Sequence, residues 1–433
     1  MTPASTSEAP ARTLEDWLAY IERQHPQSIA LGLDRVRDVA ARMGLVQPAE
    51  RSILVGGTNG KGSTVAFLES IARAAGLRVG AYTSPHLLRY NERVRIDGRE
   101  VDDLPLVDAF EAVETARGDT PLTYFEYGTL AALWLFERER LDLAILEVGL
   151  GGRLDAVNLV DADVAVITTV DLDHQDWLGD DREAIGVEKA GIARAWKPLV
   201  LGEDDPPSSV LGHAYRIGAS AVRANCDFFF QPAEDGSGWH WREVNYGLDL
   251  PMPALAAPVQ LRNAATAIAA LRALDLPMTR EAIADGIVDA HVAGRLQVFR
   301  RQGVEIVVDV AHNPQAARSL AQWMAAVPVP GRTFAVFAAL GDKDVAGVVA
   351  ALADRIDGWW LAGLEAAGPR GVDVATFAER LRGTAAEGGA RFATVEAALA
   401  DARAQAHTGD RLLVFGSFHT VAAAITALGS EDG

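Results

Sequence analysis

The sequence predicts an α/β protein with a mainly parallel sheet, followed by a second, smaller α/β domain. Three features carry this expectation: β-rich runs alternate with helical patterns from Ser52 onward, the rhythm breaks over Glu234 to Pro258, and it restarts around His291 to Arg295. Alternation of this kind is what a parallel sheet with helices on its faces requires. A chain of 433 residues is also too long for one ordinary core.

Taken in order, Ser52 to Gly57, Leu143 to Val148, Val164 to Val170 and Leu199 to Gly202 read as strands buried on both faces. Between them, Ser63 to Ala75, Gly128 to Arg140 and Arg182 to Ala193 space apolar residues by three and four and read as helices. Glu234 to Pro258, rich in Pro, Gly and Asp, reads as a hairpin excursion ahead of a helix over Val259 to Leu274. In the second domain Val304 to Val310, Thr333 to Ala338 and Arg411 to Gly416 read as strands, with a helix over Pro314 to Ala326. The domains are placed at 1–293 and 294–433, and no internal repeat is apparent.

Composition excludes several classes. With 59 acidic against 40 basic side chains, the formal charge of −19 repels a polyphosphate backbone, so nucleic acid is not expected as a partner. The single cysteine, Cys226, offers neither an internal disulfide nor a cysteine zinc site, which suits a reducing cytoplasm. Met1 to Trp17 lacks a basic start and an apolar stretch and reads as a ragged tail, not a signal peptide. No segment approaches the roughly 20 apolar residues that cross a bilayer, so no membrane partner is expected.

Ile53 to Ser63 reads ILVGGTNGKGS: an apolar strand, a glycine-rich turn, a lysine, then a hydroxyl residue opening a helix. Glycines let backbone N–H groups turn toward an anion, the helix start adds its positive end, and Lys61 supplies a point charge for the β and γ phosphates. Ser63 or Thr64 would hold Mg²⁺. The spacing departs from the common G-x-x-x-x-G-K-[ST] pattern, because Val55 stands at the first glycine position and Gly62 separates the lysine from the serine. The competing reading is a glycine-rich connection with a solvated lysine. No N-K-x-D element is present, Gly341-Asp342-Lys343-Asp344 being a partial echo, so ATP is expected and not GTP.

GTNGKGS resembles the phosphate loop of the Mur ligase superfamily. Further motifs narrow the resemblance to its folylpolyglutamate synthase and dihydrofolate synthase branch: Thr83-Ser84-Pro85-His86-Leu87, Leu146 to Asp155 (LEVGLGGRLD), Asp173-His174, Glu188 to Ile192 (EKAGI), Asp309 to Pro314 (DVAHNP) and Gly416 to His419 (GSFH). They occur in the family's order. The resemblance implies a P-loop-type ATPase domain, a carboxy-terminal Rossmann-like domain, and ATP in the cleft between them. It also implies a reaction: ATP phosphorylates a carboxylate, and the amine of L-glutamate attacks the acyl phosphate. The acceptors would be dihydropteroate and the glutamate tail of reduced folates.

The resemblance assigns Thr58, Asn59, Gly60, Lys61, Gly62, Ser63, Asn263 and Arg295 to ATP. It assigns Ser63 and Glu147 to one Mg²⁺, and Ser84, Glu147 and His174 to a second. Lys189 matches a lysine that is often carbamylated and would face the second metal. Asp309, His312 and Ser417 would hold glutamate, with Asp309 steering or deprotonating its amine; Thr123, Phe125 and Asp155 fall on the pterin side. Val310 stands where the family usually has Gly. Plainer readings stand beside these: His174 as a satisfied loop histidine, Lys189 paired with Glu188 or Glu183, Asp309 as a helix cap with His312 a turn residue, Asn263 a polar interruption of its helix, Arg295 a surface charge, and Phe125 a core aromatic. Two other functions remain open. One is a Mur-type ligase acting on a UDP-muramyl acceptor, a class that usually carries a further amino-terminal domain; the other is a nucleotide-binding module without catalysis. A monomer is expected.

Overall fold

The computed structural model describes residues 12–25 and 30–429. The first sheet has eight strands in the order Arg99–Glu100, Val94–Ile96, Val79–Tyr82, Leu143–Glu147, Arg51–Gly56, Val164–Ile167, Pro198–Leu201, Ser220–Arg223. From Val79–Tyr82 to Ser220–Arg223 all pairings are parallel, and an antiparallel pair closes the other edge. The central strands Leu143–Glu147 and Val164–Ile167 are buried throughout, as their apolar runs require. One face is covered by the helices Lys61–Ala74 and Val259–Ala273, the other by helices including Asp103–Arg117 and Tyr124–Glu139.

The second sheet has six strands, Gln297–Arg301, Val304–Asp309, Arg411–Phe415, Thr333–Phe337, Gly358–Ala362 and Ala390–Phe392, and only the first pair is antiparallel. The excursion before Val259 is a three-stranded antiparallel sheet of Phe228–Pro232, Trp239–Glu243 and Tyr246–Leu250. It therefore begins ahead of Glu234. Its aromatics explain why: Phe228, Trp239 and Trp241 are buried against the helix Val259–Ala273, and Trp241 Nε1 donates to Ala265 O at 3.1 Å.

Met1 to Trp17 is not a tail over its whole length. Residues 1–11 lie outside the described residues, but Leu14–Ile21 is a helix opened by a Thr13–Asp16 capping box. Leu14, Trp17 and Ile21, three and four apart, are buried, and Trp17 packs on Phe110. The apolar stripe is short and sits among Pro, Ser and Glu, which hid it. The helix over Gly128 to Arg140 also starts earlier, at Tyr124, because Thr123 and Glu126 form a capping box. Among the described residues no helix is long and apolar enough to cross a membrane.

Candidate active site

The strand Arg51–Gly56 runs into the turn Gly57–Gly60 and then the helix Lys61–Ala74. Gly57 (φ 143°) and Gly60 (φ 88°) adopt backbone that other residues resist. A Cβ on Gly57 would lie 1.9 Å from Thr168 Oγ1, and one on Gly60 2.7 Å from Asn263 Oδ1. Gly60 caps the helix without a side-chain bond, which leaves first-turn N–H groups available to an anion. Thr58 Oγ1 donates to Asp171 O at 3.0 Å and Asn59 N–H to Thr169 Oγ1 at 3.1 Å, tying the turn to the neighbouring strand end. Lys61 Nζ folds over the turn and donates to the carbonyls of Gly57 (3.0 Å) and Thr58 (3.2 Å). Burial holds its pKa below the ordinary lysine value, against the pull of Glu147 and Asp173. A turn too narrow for side chains, backed by one half-buried ammonium, fits a triphosphate.

Glu147 ends its strand beside this turn; Ser84 N–H donates to its Oε2 at 3.2 Å. Burial raises its pKa, opposed first by Lys61. Ser63 is buried and accepts from Gln260 Nε2 at 3.3 Å, and Asn263 Nδ2 donates to Gln260 Oε1 at 2.9 Å. Asn263 thus faces the phosphate turn and is no mere polar interruption of its helix. Thr64 Oγ1 is buried with no hydrogen-bond partner among the described residues. Among the described residues no three His, Cys, Asp or Glu side chains gather as a metal cage. One carboxylate with serine hydroxyls fits Mg²⁺, which keeps waters and phosphate oxygens for most of its coordination.

His174 holds a left-handed backbone (φ 53°) and lines the same cavity, and burial lowers its pKa to about 4, so the imidazole is neutral near pH 7 and free to accept or ligate. Lys189, on the helix Arg182–Ala190, is buried, and burial, then Lys61, lowers its pKa to about 7. It pairs with neither nearby glutamate: Glu188 bonds Arg153 at 2.8 Å, and Glu183 accepts from Ser208 and Ser209.

A cavity of about 1400 Å³ joins these groups to the second domain. Asp309 ends the strand Val304–Asp309 and accepts from Leu296 N–H (2.9 Å) and Ala311 N–H (2.8 Å); burial raises its pKa, and Arg295 opposes the rise. It is not a helix cap, because Asn313 caps the helix Pro314–Ala326. His312 Nδ1 sits 2.9 Å from Val310 O. Val310 needs no left-handed backbone and packs into the core, so the valine costs the turn nothing. Arg295 has Nη1 buried with no hydrogen-bond partner among the described residues, and its guanidinium lies 5.3 Å over the Phe418 ring, which rules out a plain surface charge. Ser417 Oγ accepts from Thr420 N–H at 3.0 Å at the start of the last helix while lining the cavity.

At the other end, Phe125 is half-buried, 5.9 Å from the Tyr82 ring, and a Cβ on Gly149 would lie 2.8 Å from its Cζ. Asp155 is buried, its pKa raised to about 7 by burial despite accepting from Leu150 N–H at 2.8 Å. Thr123 also lines the cavity, but its hydroxyl is bound to Glu126 Oε2 at 2.9 Å.

The structure gives parts to residues that the motifs quoted without a role or left outside. Asp173 is a hub between the domains: Lys343 Nζ donates to it at 2.7 Å, Asn313 Nδ2 at 3.2 Å, and His312 Nε2 lies 3.4 Å away. Burial works to raise its pKa, but the His312 contact and Lys343 hold the carboxyl well below its ordinary range. Lys343 belongs to the stretch read as a broken guanine element; only its burial against Asp173 shows its use.

Known proteins resemble this chain over nearly its whole length. The Mur ligase middle domain family matches residues 55–271, and the Mur ligase, glutamate ligase domain family matches 294–418. The dihydrofolate synthase/folylpolyglutamate synthase of Escherichia coli K12 is 48% identical over 95% of this chain and 94% of its own. The structure of E. coli FolC in complex with DHPP and ADP superposes with a TM-score of 0.92 at 47% identity, covering 99% of this chain and 100% of that one. A bifunctional folylpolyglutamate synthase/dihydrofolate synthase with Mn, AMPPNP and L-glutamate bound gives 0.89 at 48%, covering 99% and 100%. This chain belongs to the dihydrofolate synthase/folylpolyglutamate synthase family of Mur ligases.

Proposed function

We propose that this chain is an ATP-dependent ligase that adds L-glutamate to dihydropteroate and to the glutamate tail of reduced folates through an acyl phosphate. The observation that carries the reading is one cavity lined by the glycine turn with Lys61, the buried carboxylate Glu147 and the Asp309–His312 turn. Relatives with DHPP, ADP, AMPPNP, Mn and L-glutamate bound support it.

A carboxylate and an ammonium do not condense near neutral pH, because the carboxylate repels a nucleophile and hydroxide leaves poorly. In the proposed sequence a carboxylate oxygen of the acceptor attacks the γ phosphorus, and ADP departs. Lys61 and the turn's N–H groups steady the phosphate oxygens, and Arg295 brings further positive charge from the second domain. The glutamate nitrogen then attacks the acyl carbon, its proton passes to Asp309, phosphate leaves and an amide remains. Asp309, whose proton affinity is raised by burial, suits that base. His312 and Ser417 take the glutamate carboxylates, while Phe125, Thr123 and Asp155 hold the pterin.

A divalent metal screens the phosphates. The fuller reading has two Mg²⁺ sites, one at Ser63 and Glu147 and one at Ser84, Glu147 and His174, with Lys189 carbamylated beside the second. The ATPase domain is read as 1–293 and the second as 294–433, and the protein as a cytoplasmic monomer. Purified protein is expected to release phosphate only when ATP, Mg²⁺, glutamate and dihydropteroate or tetrahydrofolate are all present. Lys61→Ala should lower that release by about a hundredfold or more. Normal turnover in this variant, or release driven by a UDP-muramyl acceptor instead, would overturn the assignment.

A further inference from the structure

The second domain touches the phosphate turn directly, through the residue that starts the helix Pro314–Ala326. Asn59 Nδ2 donates to Asn313 Oδ1 at 3.1 Å, and Asn313 Nδ2 donates back to Asn59 Oδ1 at 3.0 Å. Asn313 is buried, and both ends of its amide have a second partner. Its oxygen caps the helix by accepting from Ala316 N–H at 3.0 Å, and its nitrogen reaches Asp173 Oδ2 at 3.2 Å. The cap requires an oxygen on one side and the carboxylate a donor on the other, so the amide has one usable orientation. Asn59 is held as firmly, its carbonyl accepting from Thr168 Oγ1 at 2.6 Å and its Nδ2 donating to Gln315 Oε1 at 2.5 Å.

Asn59 lies between the two glycines whose backbone shapes the phosphate cradle, and Asn313 follows His312 directly. The phosphate turn is thus tied to the Asp309–His312 turn through a reciprocal amide pair, beside the Asn59–Gln315 bond and the contacts of Asp173. We infer that Asn313 is a positioning residue that couples nucleotide occupancy of the GTNGKGS turn to L-glutamate affinity in the second domain, by way of Asn59. The inference rests on the functional reading above, and it makes the two affinities reciprocally linked.

The test measures L-glutamate affinity calorimetrically on the full chain, with and without AMPPNP and Mg²⁺, for wild type, N313S and N313T. Serine and threonine keep an oxygen for Ala316 N–H, so the helix stays capped, but their shorter side chains withdraw the amide from Asn59. The wild type is expected to bind glutamate at least about 5-fold more tightly with nucleotide present, and both variants to fall below about 2-fold while still binding AMPPNP. Variants that keep the wild-type ratio, or a wild type that binds both ligands without linkage, would overturn the coupling and leave the proposed reaction intact. A wild type that binds neither ligand would overturn the reaction and the coupling together.

Discussion

Lys343 of the second domain and Asp173 of the first lie 2.7 Å apart, with side chains only 6% and 10% exposed. A pair this dry holds two domains together only while both charges are present. Asp173→Asn leaves Lys343 with Asp342 at 3.8 Å as its remaining ion-pair partner, whereas Lys343→Met leaves Asp173 still bonded to Asn313. Asp173→Asn is therefore expected to cost about 3 kcal/mol of unfolding free energy and Lys343→Met less. Urea denaturation of both variants checks the order, and equal losses would contradict it.

His312→Ala should chiefly weaken the use of glutamate. Losing a hydrogen bond to a charged group is worth roughly 1.5–3 kcal/mol, so the KM for glutamate is expected to rise about tenfold or more. The KM for ATP should move far less. Steady-state kinetics with each substrate varied in turn separates the two, and an equal rise in both would remove His312 from the amino-acid site.

Lys189 can react with carbon dioxide only as a neutral amine. With its pKa lowered to about 7, the neutral fraction grows as pH rises through that value and vanishes below it. Depleting bicarbonate should therefore cut activity, the more so on the acidic side of pH 7. Restoring bicarbonate should recover it, and isotopically labelled bicarbonate should give a carbamate signal that Lys189→Met lacks. Activity indifferent to bicarbonate would exclude the modification.

Glu203, which lines the same cavity, sets a pH dependence of stability. Burial raises its pKa from an ordinary 4.5 to about 7, although Arg182 lies 3.0 Å away. The folded state then binds the extra proton between those values, so Glu203's contribution is complete below pH 4.5 and is lost as pH rises through about 7. Glu203→Gln keeps an oxygen for Val170 N–H and should be more stable than the wild type above pH 7, with the advantage vanishing near pH 4.5. Thermal melts across that range decide the matter, and a constant offset would contradict the assignment.

Much of the site was legible because its chemistry is local. The phosphate turn is written in consecutive residues, since glycines are needed wherever backbone N–H groups must point at an anion and the helix follows at once. Glu147 was legible as the polar end of an apolar strand. Two helix starts were misread: the Thr123–Glu126 cap, which opens a helix at Tyr124, lies in a stretch that also lines the cavity, and the stripe Leu14, Trp17 and Ile21 is too short to stand out from a polar terminus.

By itself the sequence determined the alternation of strands and helices, the phosphate cradle and the family's ordered motifs, each of which depends on neighbours along the chain. Only the tertiary structure decided that Asp173 gathers Lys343, Asn313 and His312, that Asn59 clasps Asn313, and that Lys189 is buried away from its neighbouring glutamates. Asn59 and Asn313 are 254 positions apart and Asp173 and Lys343 170. Charge and amide pairing at such range depends on how two sheets pack across a cleft, and no local periodicity encodes that.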